Sequence, residues 1–114
     1  MVSERDKCAL MCIIKHCDRI ENKIINISYE SFLNDEDVKE ICCFNLLQIG
    51  ELCKNLSDEL ISQYNQTPWK KIKGMRDKVV HGYGTIDMEI VWITSKEDVG
   101  PLHQYCEQIL NSKD

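Results

Sequence analysis

Residues 75–84, MRDKVVHGYG, combine three side chains that can do chemistry together. Arg76 carries a permanent charge and can bind a phosphate through two parallel hydrogen bonds. His81 titrates near neutral pH, so it can take up and release a proton. Tyr83 adds a phenol that can donate to a phosphate oxygen or be modified covalently. The segment is therefore a candidate site for chemistry on a phosphate ester.

Arg76 and His81 stand near the end of a predicted helix and are five residues apart, or about 140° around it. They do not share a helix face, but both can lean towards one cleft if the helix relaxes at Gly82. Glycine readily takes the left-handed conformation that ends a helix. The negative end of the helix dipole would favour a protonated imidazole at His81.

An arginine and a histidine are the smallest set of side chains that can cleave RNA without a metal ion. The ribose 2′-OH is an internal nucleophile that the substrate already positions. The protein then has to move protons, here through His81, and neutralise the charge on phosphorus, here through Arg76. The residues alone leave the alternative open that His81 is structural and only caps the helix.

The surrounding segment is basic, although the chain as a whole has a net charge of −5. Residues 70–78, KKIKGMRDK, hold five basic side chains against the single acidic Asp77. A local basic patch on an acidic protein can still bind a polyanion, because physiological salt screens charges beyond ~8 Å. By charge alone, a solvated helix face is the alternative.

Apolar residues recur every three or four positions along nearly the whole chain, which predicts helices throughout. The pattern favours an all-α fold, an antiparallel bundle of four to five main helices in a single domain spanning residues 1–114. One helix is predicted from residue 67 to 81, with Gly74 inside it either at a close helix crossing or merely tolerated. The predicted helix starts are Ser3, Asn34, Ser57, Thr67 with Pro68, Asp87 and Pro101.

The second long helix, residues 34–56, has apolar residues on two faces. Phe44 and Leu47 lie away from the predicted core stripe. A helix with two apolar faces needs two partners, so in a chain of 114 residues we expect a homodimer, or a larger assembly of dimers. The core stripe is predicted to contain Val38, Ile41, Cys42, Asn45, Ile49, Leu52 and Leu56.

Seven cysteines in a chain without a secretory signal favour reduced thiols that fill the core as small apolar residues. Cys8, Cys12 and His16 share one helical face, but no pair has the C-x-x-C spacing of a structural zinc site. We predict no metal and no cofactor. The charged N-terminus and the lack of an apolar run of ~20 residues favour a cytoplasmic protein that does not contact the membrane.

The segment WKKIKGMRDKVVHGY, residues 69–83, resembles the signature of the HepT-like ribonucleases, toxins of the HEPN superfamily. The family pattern R-x-x-x-x-H-x-Y is met here by Arg76, His81 and Tyr83 without a gap. The similarity continues in FNLLQIGELCKNLSDEL, which contains the Ile-Gly-Glu step of the family, and in IDMEIVWIT. It covers nearly the whole chain in order.

The resemblance implies a HEPN-like homodimer whose two motifs face each other across a cleft and form a composite site. It implies a metal-independent endoribonuclease acting on tRNA or mRNA, with Arg76 and His81 as catalytic residues and Asp77 and Tyr83 as supporting ones. The partner of such a type VII toxin is a minimal nucleotidyltransferase antitoxin, which would transfer AMP from ATP to Tyr83. The basic residues predicted to face the RNA are Lys70, Lys71, Lys73 and Lys78.

Some residues keep two interpretations. The family often has asparagine in place of Asp77, whose carboxylate could pair with Arg76, orient His81 or weaken phosphate binding. Glu51 either supports the site or is a solvated charge. The tryptophans, Trp69 and Trp92, are predicted to anchor the core rather than to stack on bases.

Two other functions compete with the enzyme. One is a non-catalytic helical partner of a nucleotidyltransferase that binds nucleic acid or nucleotide, and the other is a purely structural bundle. The presence of both Arg76 and His81 favours the enzyme, because a binding module does not need this pair at this spacing.

Overall fold

The structure is a computed structural model that describes residues 2–74, 76–77 and 87–112. Within these ranges seven helices have both ends described, Arg76 and Asp77 are helical as well, and there is no strand, which confirms the prediction of an all-α bundle. The long helices are α1 (Glu4–Ile24), α3 (Glu36–Lys54), α6 (Met88–Glu97) and α7 (Val99–Leu110). The short helices are α2 (Tyr29–Leu33), α4 (Asp58–Gln63) and α5 (Trp69–Lys73).

Polar side chains begin most of these helices. Each accepts a hydrogen bond from a backbone N–H of the first turn, which would otherwise lack a partner. The prediction of the second cap was wrong by one residue: Asp35 caps α3, while the Asn34 side chain donates to the carbonyl of Glu30. The last helix begins at Val99 rather than Pro101. The caps that bind the first turn are Ser3, Ser28, Asp35, Ser57 and Asp87.

The core lies where α1 packs against α3 and α7. The buried face of α1 follows the predicted spacing of three and four residues. Burying such a face contributes roughly 25 cal/mol for each Å² of apolar surface removed from water. Its fully or nearly fully buried apolar residues are Leu10, Ile13, Cys17, Ile20 and Ile24.

Two polar contacts show that α1 and α3 run antiparallel. Near the start of α1, the buried carboxylate of Asp6 accepts hydrogen bonds from the backbone N–H and the hydroxyl of Ser57, at 3.0 and 2.5 Å. Further along α1, Nδ1 of His16 lies 2.6 Å from the Asn45 side-chain oxygen. The later residue of α1, His16, contacts the earlier partner, Asn45, and so the two helices run in opposite directions. The prediction of antiparallel packing therefore holds for α1 and α3.

The buried face of α3 is wider than the predicted stripe. Four predicted residues are buried, but Val38, Ile41 and Leu52 are only partly so. The helix contacts α1, α2, α5 and α6 and is therefore enclosed from several sides. Residues outside the predicted stripe that are nevertheless buried are Cys43, Leu46, Gly50 and Cys53.

All seven cysteines lie in the described residues and are free thiols. The prediction of buried, apolar cysteines is confirmed for five of them and wrong for Cys8 and Cys12, which are exposed on α1. Burial raises the pKa of the Cys42 thiol to about 11 and that of Cys106 to about 12. These thiols are therefore protonated at neutral pH and behave as apolar side chains.

Both tryptophans are core anchors, as predicted. Trp69 is buried, and its indole N–H donates to the carbonyl of Tyr64 at 2.9 Å. Trp92 is half-buried on α6, with its ring centroid 5.1 Å from that of Phe32 and 5.9 Å from that of Tyr29. Their rings therefore hold α2, α5 and α6 in the bundle.

None of the described helices is long and apolar enough to span a lipid bilayer.

An acidic cluster around His103 joins α7 to α1. Nδ1 of His103 donates to a carboxylate oxygen of Glu21 at 2.6 Å and lies 3.6 Å from Asp18, while Nε2 lies 3.4 Å from Glu107. The ligand atoms of Asp18, Glu21 and His103 lie within 4.8 Å of one another, as in a metal site. The short contact, however, places a proton on the nitrogen lone pair that a metal would need.

Because three carboxylates surround His103, we expect protonation of its imidazole to stabilise the fold. Burial lowers the pKa of His103, but the hydrogen bond and charge of Glu21, with Asp18 and Glu107, outweigh burial and raise it above 6.5. The stabilisation is therefore complete below the ordinary pKa of histidine and is lost as pH rises through the folded-state pKa. In urea titrations, the free energy of unfolding lost in His103→Gln should be largest below the ordinary pKa of histidine and should shrink as pH rises through the raised folded-state pKa. Glu21→Gln should remove most of this pH dependence, and an unchanged dependence would contradict the assignment.

Candidate functional site

The structure describes part of the predicted catalytic motif. Arg76 and Asp77 are helical and lie among the described residues. Lys78, His81 and Tyr83 lie outside the described residues, so their predicted roles remain predictions. The site can therefore be built from Arg76 outward.

The helix that leads to Arg76 is shorter than the sequence predicts. Pro68 rather than Thr67 is the N-cap of α5, and Gly74 is its C-cap, so the predicted continuous helix from residue 67 to 81 is wrong. A Cβ at Gly74 would meet the carbonyl oxygens of Lys70 and Lys71 at 3.4 and 3.5 Å, which is ordinary contact. Gly74 therefore ends a helix and does not mark a close crossing between helices.

The guanidinium of Arg76 is held by a carboxylate from α3. Nε of Arg76 lies 3.0 Å from Oε1 of Glu51, and its Nη1 lies 3.7 Å from Oδ1 of Asp77. Glu51 thus contacts Arg76 and is also half exposed, so a supporting role at the site and a solvated charge both remain predictions. Asp77 is close to Arg76 as well, but at a distance beyond that of a strong hydrogen bond.

The backbone of Arg76 lies directly against α3 at Gly50. A Cβ at Gly50 would be 2.9 Å from the Cβ of Arg76 and 3.2 Å from its backbone nitrogen. Carbon atoms in proteins do not approach this closely without displacement, so the absence of a side chain at Gly50 allows the contact. Two consecutive residues of α3 thus place Arg76: Gly50 its backbone and Glu51 its side chain.

Gly50→Ala should destabilise the protein by about 1–3 kcal/mol, as overpacking does, although alanine is the better helix former by about 1 kcal/mol. Gly100→Ala in α7 is the matched control, because a Cβ there meets nothing within 4 Å. It should be neutral or slightly stabilising. Urea unfolding of the two variants measures both effects, and a Gly50→Ala protein as stable as Gly100→Ala would contradict the close contact.

The part of the site that the structure describes is open to solvent and balanced in charge. The side chain of Arg76 is 44% exposed and that of Glu51 is 53% exposed. Glu51 also lies 3.6 Å from Lys54. Two cations, Arg76 and Lys54, and two carboxylates, Glu51 and Asp77, therefore share this surface. The side chain of Arg76 is therefore accessible from solvent.

The predicted RNA-binding lysines of α5 do not form one surface. Lys70 and Lys73 line a cleft of about 480 Å³ together with Trp69 and Pro68. Lys71 lies at a different cleft, and its ammonium group is 3.0 Å from a carboxylate oxygen of Asp98. The structure therefore brings Lys70 and Lys73 together and separates Lys71 from them.

The cysteine and histidine face considered as a metal site has other contacts. Nδ1 of His16 lies at hydrogen-bond distance from Asn45, and its ring packs edge-on against Phe44 with centroids 6.5 Å apart. Cys8 and Cys12 are exposed on the same side of α1. Among the residues that the structure describes, these three side chains do not come together as a potential metal site.

Comparisons with known proteins agree on one family. The family model described as "Ribonuclease HepT-like" matches residues 13–109. "Putative RNase TTE0752" of Caldanaerobacter subterraneus is 32% identical over 101 residues, 89% of this chain and 90% of the relative. "Putative RNase MJ1216" of Methanocaldococcus jannaschii is 33% identical over 104 residues, 91% of this chain and 86% of the relative. "Probable ribonuclease HepT" of Thermococcus cleftensis is 31% identical over 97 residues, 85% and 88% of the two chains. No solved structure matches significantly.

Proposed function

Because this chain belongs to the HepT-like ribonuclease family, it is an endoribonuclease, and we propose that it cleaves RNA without a metal ion through Arg76 and His81. The observation that carries the proposal is the placement of Arg76. The arginine of the R-x-x-x-x-H-x-Y motif is anchored on α3 by Gly50 and Glu51, yet 44% of its side chain is exposed. An anchored and accessible guanidinium is what phosphate binding requires.

The proposed reaction is an internal transfer at phosphorus. The 2′-oxygen of the ribose forms a bond to phosphorus, and the bond from phosphorus to the 5′-oxygen of the next nucleotide breaks. His81 takes the proton from the 2′-OH, and a second His81 from a partner subunit gives one to the departing oxygen. Arg76 neutralises the charge that develops on the phosphate oxygens. The products carry a 2′,3′-cyclic phosphate and a 5′-hydroxyl.

We also propose that two copies of the chain form a composite site. Phe44 is 53% exposed and stands seven residues, or about two helical turns, before Glu51 on the same face of α3. Met11, 61% exposed, lies on α1, which packs against α3. Exposed apolar side chains on the helix that carries Glu51, and on the helix packed against it, suit a surface that a second subunit covers. Light scattering should give the mass of a dimer, and Phe44→Asp should give a monomer with little cleavage activity.

The regulatory partner in this proposal is a minimal nucleotidyltransferase antitoxin of a type VII toxin–antitoxin system in the cytoplasm. The phenol oxygen of Tyr83, two residues after His81, would form a bond to the α-phosphorus of ATP, and pyrophosphate would leave. The family membership and the intact tyrosine of the motif support this part. Adenylylation would place a negative phosphate and a bulky nucleoside beside the catalytic residues.

The decisive experiment is cleavage of total tRNA, and of mRNA, by the purified protein in excess EDTA. The intact mass is checked beforehand so that only protein without AMP is assayed. Wild type should cleave, and His81→Ala should be slower by about 10²–10⁴-fold, the usual contribution of a general acid–base residue. If unmodified wild type leaves both RNAs intact, the catalytic proposal fails, and a nucleic-acid-binding role beside a nucleotidyltransferase takes its place.

A further inference from the structure

The contact between Arg76 and α3 involves the Nε side of the guanidinium. The side chain has five N–H donors, of which one is on Nε and four are on the terminal nitrogens. Nε of Arg76 lies 3.0 Å from Oε1 of Glu51, whereas, among the residues that the structure describes, its terminal Nη1 makes a looser approach of 3.7 Å to Oδ1 of Asp77. The terminal edge therefore holds most of the donors that remain for a substrate.

We infer that Glu51 is a positioning residue of the ribonuclease site, which holds the Nε edge of Arg76 so that the terminal Nη1 and Nη2 groups face the phosphate of the RNA. The inference rests on the proposed function. Gly50 contributes to the same end, because it brings the Arg76 backbone to within 3.5 Å of a Cβ position on α3. The arginine is thereby fixed at both its backbone and its Nε, and only its terminal edge is offered to the substrate.

The carboxylate also has an electrostatic cost for binding. Glu51 repels an RNA phosphate that approaches Arg76, and Lys54 at 3.6 Å offsets this only in part. A residue that served binding alone would not bring a negative charge to this place. A residue that orients the arginine can carry a negative charge here, because it stabilises the transition state by fixing the geometry of Arg76, whereas its repulsion weakens RNA binding in the ground state. Glu51 should therefore act oppositely on kcat and on RNA affinity.

Steady-state cleavage of tRNA by three variants tests this. Glu51→Ala should lower kcat about 10–100-fold, because a misplaced group costs about that much, while KM stays equal or falls. Glu51→Gln should keep most of kcat, since its amide oxygen still accepts from Nε, and should also lower KM. Glu40→Ala, which removes an exposed glutamate from the same helix, is the matched control and should change neither value by more than about twofold.

A second measurement does not depend on cleavage. In protein labelled with ¹⁵N-arginine, the Arg76 Nε–H signal should be protected from exchange in wild type and in Glu51→Gln, and should lose that protection in Glu51→Ala. Wild-type kcat in Glu51→Ala overturns the inference, as does an equal loss in Glu40→Ala. If wild type does not cleave RNA, the proposed function fails and the catalytic role of Glu51 fails with it. The exchange data then still decide whether Glu51 holds Arg76.

Discussion

Arg76→Ala is expected to lower kcat for RNA cleavage by about 10²–10³-fold, the usual cost of removing a donor that stabilises charge in the transition state. KM should rise as well. The variant leaves Glu51 and Asp77 without the cation that now lies 3.0 and 3.7 Å away, so two carboxylates would repel the incoming phosphate. The fold should survive, because half-exposed ion pairs contribute at most about 1 kcal/mol to stability.

Arg76→Lys separates the two effects. Lysine restores the charge but offers a single ammonium group, so it cannot bind Glu51 and a phosphate at once with fixed geometry. KM should return towards the wild-type value while kcat stays low. Arg19→Ala, which removes an exposed arginine from α1, is the control for loss of a positive charge. Equal effects of Arg19→Ala and Arg76→Ala, or full activity in Arg76→Lys, would contradict this account.

The helices were predictable because their signals are local. Ser3, Ser57 and Asp87 are caps whose partners lie within three residues, and the α1 stripe repeats within a single helix. The predictions were wrong where contacts with other parts of the chain determine the structure. The buried face of α3 is wider than its periodicity suggests, because several helices enclose it, and Gly74 ends a helix whose apolar pattern continues.

The site was only partly predictable for the same reason. Arg76 could be found from the motif, and the Ile-Gly-Glu step was visible through the family resemblance alone. Nothing in the local pattern says that Gly50 and Glu51 meet a residue 25 or 26 positions later, because only the packing of α3 brings them there. The ion pair between Lys71 and Asp98 is equally non-local, and it removes one lysine from a charge pattern that looked uniform.

Adenylylation of Tyr83 is expected to reduce RNA cleavage by at least about 10²-fold. The added phosphodiester is attached within the motif, so its effective concentration at Arg76 is in the millimolar range or higher, and free RNA at lower concentration competes poorly. Its negative charge would pair with the guanidinium of Arg76, whose side chain is 44% exposed, and the adenosine would obstruct the approach of RNA. Cleavage assays before and after incubation with the antitoxin and ATP, with the adduct quantified by intact mass, measure the effect.

Tyrosine variants make this prediction specific. Tyr83→Phe lacks the acceptor oxygen, so after the same treatment it should show no AMP adduct and keep its cleavage activity. Tyr29→Phe, at a tyrosine exposed on α2, should still be modified and inhibited like wild type. An adduct on Tyr83→Phe would place the modification elsewhere. If wild type carried one AMP per chain and kept full activity, the phosphate on Tyr83 would not reach Arg76. Tyr83 and Arg76 would then not share one site.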